Sequence, residues 1–282
     1  MKEFLKRMLR RYFILGCLNR PIIPFKVNLL YVGKSFKKSG VAYYNVGDYL
    51  SKIVFEMLMT HFGIKSYWTG KTMCIAHIGS IIQFLGQDCV VYGSGFLFRW
   101  AMPQFARKKL KLDIRAVRGP LTRNVLMELG YKLPEVYGDP AILLPLFFTP
   151  PISKKYDFIV IPHESHYEQY IENNTYKVVS TLTNDWKTFV NDIRASKLVI
   201  SSSLHGIIIA EAYGVPAVFL DETENADQLK YDDYYYSTGR RNYKRGKTVK
   251  ECLSLKPDPI PDFSDMRKKL LDTFPKDIFN CR

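Results

Sequence analysis

The stretch from Lys197 to Leu220, KLVISSSLHGIIIAEAYGVPAVFL, constrains this chain more than any other. Leu198–Ile200 is apolar, β-branched and too short for a helix, so it predicts a buried strand. Ser201, Ser202 and Ser203 follow, then Leu204-His205-Gly206. Ile207 to Tyr213 predicts a helix with Gly214 and Pro216 as its stop signals, and Ala217–Leu220 predicts a second buried strand. In α/β sheets built from such units, ligands bind beyond the carboxyl ends of the strands, where unpaired N–H groups at helix starts attract anions. The plainer reading is a serine N-cap cluster beside a structural histidine. The rest of the chain decides between the two.

The same alternation runs through most of the sequence. Val27–Val32 predicts a strand, and Asn45-Val46-Gly47-Asp48 opens a helix carrying Leu50, Ile53, Val54, Met57 and Leu58 at helical spacing. Asn45 or Asp48 would cap that helix on the plainer view. Cys89–Tyr92 predicts a buried strand ending in Gly93-Ser94-Gly95, where the backbone turns tightly. Ile114–Val117 runs into Arg118-Gly119-Pro120, with Pro120 placed for the first turn of a helix that Gly130 closes. Leu144–Ile152, with Pro145, Pro150 and Pro151, predicts a linker crossed by few contacts. Beyond it the pattern restarts: strands at Phe158–Ile161 and Val178–Thr181, then a helix over Asp185–Ser196. The expected fold class is α/β, with two doubly wound, Rossmann-like domains over residues 27–147 and 153–282 facing a cleft.

The net charge of +14 is the one unusual bulk property, and it calls for an anionic partner: nucleic acid, a membrane surface or a phosphorylated substrate. Residues 1–26 hold seven cations against the single acid Glu3, with Leu5, Met8, Leu9 and Tyr12 on one helical face. Such a basic amphipathic segment suits peripheral contact with an anionic membrane, or packing on its own domain with a solvated basic face. No apolar run reaches the ~20 residues that span a bilayer. Five scattered cysteines without CxxC spacing point to reduced thiols and away from zinc. The expected location is the cytoplasm, with the inner face of the cell membrane as the surface the basic segment would meet. Lys230–Tyr236 (KYDDYYY) and the cations Arg240, Arg241, Lys244, Arg245 and Lys247 form an aromatic and basic stretch. Its aromatics could stack on bases or sugars, and its cations could hold pyrophosphate.

Five motifs occur in order: Asn45-x-Gly47-Asp48, Gly93-Ser94-Gly95, Val117-Arg118-Gly119-Pro120 with Leu129-Gly130, Gly138-Asp139-Pro140, and Ser201 to Gly206. Together they resemble the polysaccharide pyruvyl transferase family over residues 27 to 245. The resemblance implies a fold like that of GT-B glycosyltransferases, with the active site between the domains. It implies phosphoenolpyruvate as donor and a sugar of a cell-surface polysaccharide as acceptor, joined as a pyruvate ketal in exopolysaccharide biosynthesis. The expected partners are phosphoenolpyruvate and a lipid-linked glycan, with no cofactor, no metal and no nucleic acid. Some members carry Arg-Leu-His where this chain has Ser203-Leu204-His205, so Arg118, Arg240 or Arg241 would supply the missing cation.

Ketal formation requires a proton at the donor's methylene carbon, and histidine titrates in the range that suits such transfers. His205 is therefore expected as general acid/base and Arg118 as the main donor anchor, through the bidentate fork of its guanidinium. Ser202, Ser203, Leu204, Asn45, Asp48, Ser94 and His163 complete the expected donor site. Two rival functions remain: a GT-B-type glycosyltransferase using a nucleotide-sugar, and a non-catalytic nucleic-acid or membrane binder. The second leaves the Ser-Leu-His and Arg118 turns unexplained.

Overall fold

The computed structural model describes residues 23–33, 36–38, 41–172, 175–222 and 228–279. All but the last few residues of the basic segment expected over 1–26 lie outside them. β1 (Val27–Leu30) is followed by an antiparallel ribbon of β2 (Phe36–Lys38) and β3 (Val41–Tyr43). Helix α1 (Val46–His61) leads to β4 (Met73–Ala76) and β5 (Cys89–Tyr92). The short helix α2 (Met102–Ala106), β6 (Leu112–Ala116) and α3 (Pro120–Glu128) follow. β1, β4, β5 and β6 form a parallel sheet in that order.

A second parallel sheet is built from β7 (Ile159–Ile161), β8 (Lys177–Val178), β9 (Val199–Ser201), β10 (Ala217–Leu220) and β11 (Arg245–Gly246). Between these strands run α4 (Trp186–Arg194), α5 (Leu204–Ala212) and α6 (Leu229–Ser237); α7 (Val249–Ser254) and α8 (Ser264–Thr273) close the chain. Its strand order is β11-β10-β9-β7-β8. The chain goes from β7 outward to β8, then crosses back to lay β9 on the other side of β7. That reversal opens a crevice beyond the carboxyl ends of β7 and β9, the place where open α/β sheets bind ligands. The described strands of the first sheet show no reversal, because each is added on the same side of the last. The expected α/β class with two parallel sheets is observed, but among the described strands only those of the second sheet show the reversal of double winding.

Helix α5 is apolar except for His205 and Glu211 near its two ends, and such a helix is stable only when covered on every side. Ile207, Ile208, Ile209 and Ala210 are fully buried, in one core with Leu50, Val54 and Leu58 of α1 and with Ile142 and Leu143. The last two belong to a 3-10 helix, Pro140–Leu146, that Asp139 caps by accepting from the Ala141 N–H (3.0 Å). Leu144, expected to begin an open linker, is thus a core residue, and the exposed link shrinks to residues 151–155. Gly93 fixes this helix against β5: its φ is +85°, and a Cβ there would lie 2.2 Å from Pro140 Cδ. Helix α8 returns to the first sheet, where the Tyr92 hydroxyl donates to the Leu270 carbonyl (2.7 Å). Among the described residues no helix is long and apolar enough to cross a membrane.

The aromatic segment at 230–236 is the helix α6 rather than an open binding surface. Tyr231, Tyr234 and Tyr235 stand at i, i+3 and i+4, so they share a face and turn inward together. Asp233 is fully buried with them and pairs with Arg118: Nε donates to Asp233 Oδ2 (3.1 Å), and the same carboxylate accepts from Thr122 N (3.0 Å) and Thr122 Oγ1 (2.7 Å). This joint holds α6, which follows the second sheet's fourth strand, onto α3 beside the first sheet. Asp233→Ala would strand a buried guanidinium, and breaking such a pair costs about 3–5 kcal/mol. Chemical denaturation should show a loss of that size; a loss below about 1 kcal/mol would contradict a structural pair.

Candidate active site

Two helices of opposite halves start at the same point. Asn45, in extended backbone, caps α1: its Oδ1 accepts from Gly47 N (3.0 Å), and its Nδ2 donates to Glu164 Oε2 (3.1 Å). Val46 N donates to the Thr181 carbonyl (2.7 Å), so the start of α1 is tied to loops of the second sheet. Ser203, also extended, stands at the N-cap position of α5 without a side-chain cap bond, and the helix begins at Leu204 rather than at Ile207 as expected. The two starts touch through Gly47 and His205: a Cβ on Gly47 would lie 2.1 Å from His205 Nδ1. On its other side the imidazole meets a carboxylate, with Nε2 3.4 Å from Asp139 Oδ2. Asp139 is buried and is itself fixed by its helix cap. The Asp48 carboxyl faces Gly79, whose Cβ would stand 3.3 Å from Asp48 Oδ1. Each helix start also presents partial positive charge from its leading N–H groups.

Of the expected site residues, this junction gathers Asn45, Asp48, Ser203, Leu204 and His205, with His163 and Ser202 beside it. Ser202 Oγ accepts from His163 N (2.8 Å) and donates to Glu222, linking the ends of β7, β9 and β10. The His163 ring lies 2.9 Å from Ser165 Oγ through Nδ1 and 3.3 Å from Glu164 Oε2 through Nε2. Ser94 is wholly buried and donates to the Gly79 carbonyl (2.7 Å), so it supports the loop facing Asp48 without facing a ligand itself.

The arginines are placed otherwise than expected. Beyond its bond to Asp233, Arg118 donates through Nη2 to the Phe96 carbonyl (2.6 Å) and through Nη1 to Ser80 Oγ. With every nitrogen of its fork engaged and only 1% of the residue exposed, it braces the floor behind the site and offers a donor no bidentate grip. Arg240 clamps Glu211 with two bonds (2.6 and 2.7 Å) and stacks 4.6 Å over Tyr235, at the opposite end of α5 from His205. Arg241 lies 4.3 Å over the Tyr236 ring. Neither stands in for a cation at Ser203.

Three residues outside the expected set complete the junction: Asp139, Glu164 and Lys230. Glu164 comes off the end of β7 at the crevice that the strand order creates. Lys230, at the start of α6, lies 4.9 Å over the Tyr231 ring, where its charge acts on Glu164, Asp48 and Arg118. Glu164 could have been suspected from its place two residues beyond Pro162. Lys230 carries no local signal, because only the packing of α6 brings it here. Among the described residues no group of three His, Cys, Asp or Glu side chains is arranged to hold a metal ion.

Comparison with known proteins places this arrangement. The family model for polysaccharide pyruvyl transferase matches residues 3–224. The chain belongs to the polysaccharide pyruvyl transferase family. It is 28% identical over 243 residues to an uncharacterised protein of Acanthamoeba polyphaga mimivirus, covering 75% of this chain and 78% of that one. It is 29% identical over 163 residues to the succinoglycan biosynthesis protein ExoV of Rhizobium meliloti (strain 1021), covering 53% of this chain and 48% of ExoV. A crystal structure of a functionally uncharacterised Klebsiella pneumoniae protein aligns with 83% of this chain and 93% of its own, at 13% identity and a TM-score of 0.49. Membership makes this a chain of a transferase family with a polysaccharide as the implied acceptor.

The junction of this pyruvyl transferase family member also holds three perturbed acid–base groups. Burial pushes the Asp48 carboxyl up to about 6, against the opposing pull of His205. Burial likewise raises Glu164 and lowers Lys230. Such shifts cluster where proton transfer is done. The Asp48 shift has a signed consequence. Its folded value exceeds its ordinary one of 3.8, so its contribution to stability is present below that value and is lost as pH rises through about 6. Asp48→Asn cannot ionise, so its stability relative to wild type should rise between pH 4 and pH 7. Denaturation curves at both values check this; a difference that is flat or falls with pH would contradict a buried, raised carboxyl.

Proposed function

We propose that this protein transfers a pyruvyl group from phosphoenolpyruvate to two hydroxyls of one polysaccharide sugar, forming a pyruvate ketal on a GT-B-like scaffold. The observation that carries the reading is the convergence of two helix starts on His205, flanked by Asp139 and by the raised carboxyl of Asp48. The donor carries a carboxylate and a phosphate, and the leading N–H groups of α5, with the positive end of α1 beside them, are suited to bind such anions without an arginine. Lys230, beside Glu164 and Asp48, is the basic side chain that would meet the donor where Ser203 offers none. The donor would sit between the two sheets, at the seam where α1 and α5 begin.

The chemistry balances over these groups. A C–H bond forms at the methylene carbon, which becomes the ketal methyl, and positive charge develops at the adjacent carbon. Two C–O bonds to the sugar form there while the C–O bond to phosphate breaks. The two hydroxyl protons account for the new methyl proton and for the one that leaves with phosphate. His205 moves these protons, held in place by Gly47 on one side and Asp139 on the other, and Asp48 is the second group able to exchange a proton near neutral pH. The naming of ExoV as a succinoglycan biosynthesis protein supports a polysaccharide as the acceptor. A lipid-linked precursor would be met at the cytoplasmic face of the membrane, which is where the basic residues before Val27 would serve.

Purified protein should release phosphate from phosphoenolpyruvate in the presence of its glycan and add a ketal to that glycan. His205→Gln should lower the rate ~10²–10⁴-fold while the protein stays folded. Phosphoenolpyruvate at a hundred times its dissociation constant should stabilise the fold by about 2.7 kcal/mol. A thermal shift with nucleotide-sugars and none with phosphoenolpyruvate would overturn pyruvyl transfer in favour of glycosyl transfer.

A further inference from the structure

Two aromatic pairs stand at the surface, at opposite edges of the first sheet. Phe25 and Trp68, with ring centroids 5.9 Å apart, precede β1 and β4 and so lie on the edge away from the helix starts. Phe98 and Trp100 follow β5 and lie at the carboxyl edge, the edge at which α/β sheets bind their ligands. Their rings are stacked, with centroids 5.2 Å apart and planes 19° apart, and Trp100 is 50% exposed.

The loop that carries this second pair is rigidly built. Phe96 is fully buried, and its N–H donates to Thr122 Oγ1 (3.2 Å). Leu97 N donates to Gln83 Oε1 (2.9 Å), and Arg99 opens a 3-10 turn, Arg99–Ala101, that runs into α2. The Arg99 side chain is 59% exposed and reaches to 4.0 Å from Asp232. A short chain of contacts joins the loop to the junction. Arg118 holds the Phe96 carbonyl with one nitrogen and Ser80 with another, and Ser80 adjoins Gly79, which faces the Asp48 carboxyl.

We infer that Phe98, Arg99 and Trp100 form the platform on which a pyranose of the polysaccharide acceptor stacks, beside the site where the ketal forms. The assignment rests on the proposed pyruvyl transfer for what the bound glycan is used for. A pyranose has an apolar C–H face that covers a flat ring, and a rim of hydroxyls that a guanidinium can donate to. A stacked pair on an anchored loop is already ordered, so binding costs little further side-chain entropy. The other pair shares the chemistry but stands at the wrong edge, which makes it an internal control.

Full-length protein is tested for binding to an array of pyranose oligosaccharides differing in sugar and linkage, without donor. Trp100→Ala should weaken the glycan bound by wild type about five- to tenfold, the range that aromatic contacts are worth. Trp100→Phe should stay within about twofold, because a flat ring is kept, and Trp68→Ala should bind as wild type does. In turnover, Trp100→Ala should raise the acceptor KM and leave the donor KM unchanged. The binding arm needs no reaction: glycan held through Trp100 but left unmodified when phosphoenolpyruvate is supplied would refute the pyruvyl reading and keep the platform. No glycan bound by wild type, Trp100→Ala binding as well as wild type, or Trp100-dependent binding of a single-stranded oligonucleotide instead would overturn the platform.

Discussion

The arrangement depends on the closeness of Gly47 to His205. Any side chain at position 47 would occupy the space of the imidazole, since even a methyl would lie 2.1 Å from Nδ1. Glycine there lets two helices from different sheets begin within contact of each other, and it seats the ring against the backbone with Nε2 3.4 Å from the Asp139 carboxylate. The rest of the architecture keeps that contact in register. Asn45 ties α1 to Glu164, Val46 ties it to the loop at Thr181, and the apolar α5 is locked between α1 and the buried Pro140–Leu146 helix. The site is a seam within one continuous core.

Its position also follows from topology. A reversal of strand order makes a crevice in the second sheet, while the first sheet has none among its described strands. The first sheet therefore contributes through the turns after its strands and through α1. Structural cations and carboxylates lie just behind the seam, where Arg118 and Asp233 satisfy one another. The groups within the seam are less well compensated: Asp48, Glu164 and Lys230 all have their charged forms disfavoured by burial. Uncompensated burial of this kind lowers stability, and proteins retain it where proton transfer or ion binding requires it.

Much of this was legible in the sequence, for identifiable reasons. Short β-branched runs marked the strands, and the Ser201–Gly206 turn and the Asn45–Asp48 turn were recognisable as helix entries. The sequence pattern puts the start of α5 at Ile207, three residues late, because Gly206 weakens the helical signal before it. In the structure it is helical, and a Cβ there would lie 2.4 Å from Ser201 Oγ. The tyrosines of α6 had helical spacing but were read as an open surface, since charge and aromatic content do not reveal which face is covered. The arginines were harder. No local pattern shows that Arg118 is paired with an acid 115 residues away, or that Arg240 is clamped to Glu211. Asp139, Glu164 and Lys230 come from three separate segments, and only the packing brings them together.

The central claim is that the two helix starts form the anion site of a phosphoenolpyruvate-dependent enzyme. Titrating phosphoenolpyruvate into ¹⁵N-labelled protein and following the backbone amides by NMR addresses this directly. The account predicts saturable shifts at Val46, Gly47 and Asp48 together with Leu204, His205 and Gly206. Shifts confined to the Arg240–Lys247 segment, or no saturable shifts at all, would contradict it.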